Sequence, residues 1–210
     1  MMLKIRDEWK KALTTFAGAL AVVGVAAFGG AGSALAQGLG DRPIRGFVGM
    51  GLTGGGDKLA TVQWSNGEST NIRAGGLLDF RVGVDVRLGD SPFSLVASVG
   101  WFSDRVNGTN GDVKFERFPL ELMGTWRVGE AYRLGLGVRR VGDGKLKGTG
   151  AAANIGNQTF AGKVGGLIEG EWLFGASWGV ALRYVSEEYT APNGTKVDGS
   201  HVGVRGTFYF

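Results

Sequence analysis

Cysteine is absent from the 210 residues, so disulfide frameworks, thiolate metal sites and cysteine nucleophiles are excluded together. Histidine occurs once, at His201, and proline only four times. Glycine is abundant, at forty residues, but it follows no G-X-Y period and forms no long low-complexity run, which sets aside collagen and disorder. Beyond the N-terminus no run of 18 or more apolar residues occurs, so helical membrane spans are excluded. A mean hydropathy near zero does not argue against a membrane, because barrel strands alternate lipid-facing and lumen-facing residues and average out.

What is present begins with an address. Residues 1 to 11 are charged, residues 12 to 28 are almost wholly apolar, and Ser33-Ala34-Leu35-Ala36 places small residues where a signal peptidase needs them. This predicts a signal peptide over residues 1–36 and a mature chain over 37–210. The leader holds Lys4, Arg6, Lys10 and Lys11 against Asp7 and Glu8, so its removal lowers the net charge from +4 to +2. Both signs are intermixed in the remainder, which leaves no nucleic-acid footprint.

From Ile44 onward the chain keeps a period of two, the repeat of a strand whose side chains point to opposite faces. Leu78, Phe80, Val82, Val84, Val86 and Leu88 alternate with Asp79, Arg81, Gly83, Asp85 and Arg87. Tyr132, Leu134, Leu136 and Val138 alternate with Arg133, Gly135, Gly137 and Arg139. The pattern predicts eight strands over 44–54, 76–88, 93–105, 113–128, 131–145, 160–174, 177–190 and 199–210. Tight turns at 89–92, 129–130 and 175–176 alternate with longer connections at 55–75, 106–112, 146–159 and 191–198, the uneven layout of an outer-membrane barrel. Asn66-Gly67, between strand-like Thr61 to Trp64 and Asn71 to Arg73, predicts a protruding hairpin that exposes Trp64. A three-residue loop or a bulge, expected at Gly54-Gly55-Gly56, has to restore the register, because inward residues are odd-numbered before and after it.

Alternation alone does not say which face is outside, since a soluble lipocalin-like barrel would bury the apolar one. Three features favour lipid outside. Phe93, Trp126, Tyr132, Trp172, Phe174 and Trp178 cluster at the turn-side strand ends, where an aromatic girdle is expected. The charged face carries both signs at mid-strand depth, in Arg81, Asp85, Arg87, Glu121, Arg133, Arg139, Glu169, Glu171, Arg183 and Arg205. These suit a lumenal ion-pair network, with interior glycines making room for long side chains. Third, the chain ends at Phe210 after Val202, Val204, Gly206 and Phe208.

That ending resembles the C-terminal assembly signal of bacterial outer-membrane proteins, carried by Val202, Val204, Phe208 and Phe210, with Gly206 departing from the usual hydrophobic at its place. With the leader and the strand count, the mature chain resembles small barrels of the OmpA-transmembrane, OmpX and OmpW type. The resemblance implies an all-β, eight-stranded antiparallel up-and-down transmembrane barrel of a Gram-negative outer membrane, exported by its signal peptide. It further implies outer-membrane lipid and lipopolysaccharide as surroundings, the barrel assembly machinery as a partner of the last strand, a possible surface ligand at the loops, and no cofactor.

An eight-stranded barrel is about wide enough to be filled by its own side chains, so a general porin is not expected. Lipid-modifying enzymes share this architecture, but Ser200 and His201 are adjacent on a strand and point to opposite faces, which predicts no serine hydrolase and no enzyme. With no cysteine and no EF-hand spacing, no metal site is expected. Gly54-Gly55-Gly56 lacks the Lys-Ser/Thr of a phosphate loop. The reading is a structural and surface-interaction barrel. The alternative is an OmpW-like conduit for small hydrophobic molecules lined by Phe47, Val96, Phe102 and Leu167, and the remaining alternative is lipid enzymology.

Overall fold

β-Branched and aromatic residues spaced two apart give fifteen short strands in the computed structural model, which describes residues 42–63, 69–107 and 111–210. The expected signal peptide over 1–36, Trp64 and the Asn66-Gly67 turn lie outside the described residues. Eight strands form a closed ring: β1 (Ile44–Gly55), β4 (Leu78–Arg87), β5 (Phe93–Asn107), β7 (Pro119–Val128), β8 (Tyr132–Val141), β11 (Val164–Phe174), β12 (Trp178–Ser186) and β15 (His201–Tyr209). Each pairs antiparallel with its neighbour, and β1 closes on β15 from Phe47 opposite Tyr209 to Gly55 opposite His201. Gly46 and Phe210 exchange both backbone hydrogen bonds, at 3.0 and 2.9 Å, so the last residue completes the seam. Closure removes every edge from this ring, which lets backbone polar groups sit in hydrocarbon.

Three turns join the strands at one end, and each begins with a glycine at positive φ: Gly89, Gly129 and Gly175. Val128 pairs with Tyr132 and Phe174 with Trp178, so the second and third turns hold three residues, not the two expected. An odd loop between antiparallel partners keeps odd-numbered residues inward on both strands.

At the other end the wall continues through β5 into an arc, where the sequence pattern predicts unbroken strands or loops. The expected strand 113–128 divides into β6 (Asp112–Arg117) and β7, because Pro119 has no N–H for the ladder. β5 spans the break, pairing with β7 through Val99 and Leu120 and with β6 from Phe102 and Arg117 upward. The expected strand 131–145 divides into β8 and β9 (Gly144–Gly148). Buried residues are odd up to Val141 and even at Gly144 and Leu146, so one extra residue at Gly142-Asp143 turns Lys145 outward. The same slip at Gly162-Lys163 separates β10 (Asn157–Gly162) from β11, and Glu187 separates β12 from β13 (Glu188–Thr190). A 3₁₀ turn (Gly150–Ile155) and β14 (Lys196–Asp198) occupy stretches expected to be plain loops.

The first long connection is β2 (Lys58–Gln63) and β3 (Ser69–Arg73). Its bulge lies at Leu59, between Lys58 opposite Arg73 and Ala60 opposite Ile72, and not in the glycine triplet. Instead of protruding from its base, the hairpin packs inward: Ile72 and Ala74 are fully buried with Val113, Phe115, Val141, Leu146, Phe160 and Tyr189, and Leu59 and Ala60 lie against them. Arg73 donates its backbone N–H to Asp104 at 3.0 Å, and Thr53 donates to the Gly75 carbonyl at 2.8 Å. The lumen thus holds an apolar cap at the loop-side end, and a second apolar cluster of Phe47, Val96, Met123, Leu167 and Tyr209 nearer the turns.

Candidate functional site

Outside the ring, the even-numbered stripes stand exposed, with the odd-numbered one on β5: Leu134, Leu136, Ile168, Leu182, Val202 and Val204 are each at least half accessible. Inside, charged residues are buried, the inverse of a soluble protein. All six expected girdle residues, Phe93, Trp126, Tyr132, Trp172, Phe174 and Trp178, are exposed at the turn-side ends, with Phe93 stacked on Trp126 and Trp178 against Phe208. Val202, Val204 and Phe210 of the terminal stretch face outward, and Phe208 does so partly buried.

The lumenal charges fall into three connected groups. Near the turns, Arg133 contacts Asp85 at 2.5 Å and Glu171 at 2.5 Å, and Arg45 shares the same Asp85 oxygen at 2.6 Å. Tyr209 donates to Glu171 at 2.7 Å, and the Arg45 guanidinium lies 4.4 Å from the Tyr209 ring centre. At mid-depth Glu121 is the hub, bonded to Arg81, to Arg183 at 2.9 Å and to Arg139 at 3.1 Å. Asp79 adds a second carboxylate to Arg81 at 3.2 Å, and Glu169 binds Arg205 at 2.9 Å. Above them, Glu187 bridges Arg117 at 2.6 Å and Arg139 at 2.8 Å, while Tyr189 donates to Glu187 at 2.7 Å. Arg117 and Arg139 also stack on Phe102, at 4.6 and 4.5 Å from its centre. Buried charges persist only when paired and hydrogen-bonded, and each of these groups supplies both signs.

Nine of the ten expected network residues meet in these groups. Arg87 is half-buried and lines the turn-side mouth. The expected set missed Arg45, Asp79, Arg117, Glu187, Tyr189 and Tyr209, although all share its odd parity, and counting parity through to Glu187 would have found them. Glycines make the room: a methyl on Gly179 would strike the Glu171 carboxylate, and one on Gly49 the Arg205 side chain. His201 is buried, with Nδ1 2.8 Å from the Gly199 carbonyl oxygen and its ring edge-on to Phe102, while Ser200 Oγ accepts the Glu187 N–H at 3.4 Å.

The outer wall of the arc is cationic. Arg105 stands opposite Lys114, and Lys114 opposite Lys147, a row of three like charges across β5, β6 and β9. Asp112 and Glu116 offset part of it, at 2.9 Å from Arg105 and 2.7 Å from Lys114. Burial opposes ionisation of Glu116, but hydrogen bonds from Lys114 and Trp101 outweigh it and hold its carboxyl below the usual range. Glu188 is likewise lowered, chiefly by its hydrogen bond from Lys163. Asp104, beneath the hairpin, is pushed up by burial.

No protein-family model matches the chain, and no curated protein matches it. Solved structures do. The attachment invasion locus protein Ail of Yersinia pestis aligns with a TM-score of 0.51 at 11% identity, over 79% of this chain and 96% of Ail. Neisserial surface protein A aligns with a TM-score of 0.49 at 11% identity, over 80% of this chain and 98% of that one. At such identity the likeness speaks for the fold alone. Fold, greasy belt and buried charge together define a small outer-membrane β-barrel of the Gram-negative kind. In this class the tight turns face the periplasm and the long connections face outward.

Proposed function

We propose that this barrel passes nothing and catalyses nothing, and that it works through its outward surface. The observation that carries the reading is the filled lumen: ion-paired arginines and carboxylates at mid-depth, then an apolar cap under the β2–β3 hairpin. The residues weighed as a hydrophobic conduit have packing duties here, since Phe47, Val96 and Leu167 share one cluster and Phe102 lies under two guanidiniums. The buried His201 ring, bonded to a carbonyl, supports a non-enzymatic reading.

The partner proposed is the phosphorylated glycolipid of the outer leaflet, lipopolysaccharide. The row Arg105, Lys114 and Lys147 lies on the outer wall beyond exposed Phe118, and headgroup phosphates are proposed to lie against it. Like charges placed directly across strands cost stability on their own and gain from an anion laid over them. Val202, Val204, Phe208 and Phe210 are proposed to present the closing strand to the barrel assembly machinery.

Planar-bilayer recording of the refolded chain tests the closed lumen, and lipopolysaccharide-containing vesicles test the partner. The expected outcome is no stepwise conductance, with co-flotation on those vesicles weakened in a Lys114→Glu/Lys147→Glu variant. Reproducible channel steps from the wild type would contradict the first part, and unchanged co-flotation of the variant the second.

A further inference from the structure

At the turn-side end the lumen opens into a cavity of about 270 Å³ whose described lining carries more guanidinium than carboxylate. Arg42, Arg45, Arg87, Arg127 and Arg133 line it, against the carboxylates of Asp85 and Asp90. Deeper, Glu171 takes up part of the Arg133 charge, yet guanidinium still exceeds carboxylate. The excess is on one side: the neighbouring strands β1, β4, β5, β7 and β8 contribute Arg45, Arg87, Ser94, Arg127 and Arg133 in sequence around the wall.

Two features are costly for a merely structural plug. Arg127 and Arg133 stand directly opposite each other on paired strands, both turned inward, a like-charge pairing that destabilises a sheet. Arg133 is compensated by Asp85 and Glu171, but among the described residues no carboxylate lies within ion-pair distance of Arg127. Arg127 therefore holds its charge, half-buried, at the edge of a cavity already fielding four other arginines. Its backbone N–H donates to the Pro92 carbonyl at 2.8 Å, so the side chain is presented from the end of β7 where it is tied to the β4–β5 turn.

We infer that this mouth is an oxyanion-binding vestibule, taking a phosphate or carboxylate group between Arg127, Arg87 and the hydroxyl of Ser94. Planar guanidinium forks match such groups in geometry as well as charge. A bound oxyanion removes the repulsion across β7 and β8 and gives Arg127 its counter-charge. The chemistry is common to phospholipid headgroups of the inner leaflet, whose depth the neighbouring girdle residue Trp126 marks, and to anionic solutes or wall fragments of the periplasm.

The test uses the full chain refolded in non-ionic detergent without phospholipid, titrated with inorganic phosphate by calorimetry at fixed ionic strength. Saturable binding near one equivalent is expected. Arg127→Gln should weaken it by about ten-fold or more, the worth of roughly one charge-assisted hydrogen bond, while Lys196→Gln at the opposite rim leaves it unchanged. Arg87→Gln serves as the second variant, with heat-dependent gel mobility verifying that each folds. Repeating the titration in nanodiscs separates the sources: phosphatidylglycerol lowers the phosphate affinity if headgroups fill the vestibule, and leaves it unchanged if solutes do. Absence of saturable heat in the wild type, or wild-type affinity in both Arg127→Gln and Arg87→Gln, overturns the inference.

Discussion

At the residue scale the account rests on Glu121. A single carboxylate receives Arg81, Arg139 and Arg183 from three different strands, so it neutralises charge that none of those strands could bury alone. Asp79, Glu169 and Glu187 share the load but reach only part of the cluster. Glu121→Ala leaves desolvated guanidiniums without their common partner, and breaking a buried pair from one side costs on the order of 3–5 kcal/mol. Urea unfolding in lipid vesicles should therefore shift to clearly lower denaturant. Glu121→Gln, isosteric but uncharged, should recover little of the loss. A midpoint unchanged in both variants would mean that the lumen is hydrated enough to screen its charges.

At the scale of elements, the ring and the arc above it have different cores and should fail separately. The ring is set by β1–β4 and β1–β15 pairing below Leu52, none of which involves the β2–β3 hairpin. The hairpin is held by Ile72 and Ala74 in the apolar cap and by the Arg73 to Asp104 hydrogen bond. Ile72→Ala removes a fully buried side chain, a loss of roughly 2–5 kcal/mol at such a site. Limited proteolysis should then cut within residues 58–73 far faster than in the wild type, while the heat-dependent mobility of the ring persists. Loss of both together would mean that ring and cap form one cooperative unit.

The eight ring strands, their inward parity and the girdle were legible in the sequence because a period of two, sustained over nine or more residues, has only one geometric reading. What was not legible lies where that period slips. Pro119, the extra residue at Gly142-Asp143 and the one at Gly162-Lys163 each break a strand whose two halves keep pairing with different partners. A one-residue slip moves every later side chain to the other face, as it does for Lys145. The apolar cap escaped for the same reason: Phe115, Leu146, Phe160 and Ile72 come from four segments with different phase. Only the folded arc brings them together.

For the whole molecule, the claim is that hydrocarbon touches the even-numbered stripes, or on β5 the odd-numbered one, and that the opposite faces pack along the axis. The lack of cysteine makes the chain suited to single-site labelling. Nitroxide scanning along Tyr132–Val141 in lipid bilayers reads the claim directly, by comparing oxygen with a water-soluble nickel complex as relaxing agent. Labels at positions 134, 136 and 138 should be relaxed by oxygen and shielded from nickel, and labels at 133, 139 and 141 should be reached weakly by either. Strong relaxation of the even positions by nickel would place water where the account puts lipid, and would contradict it.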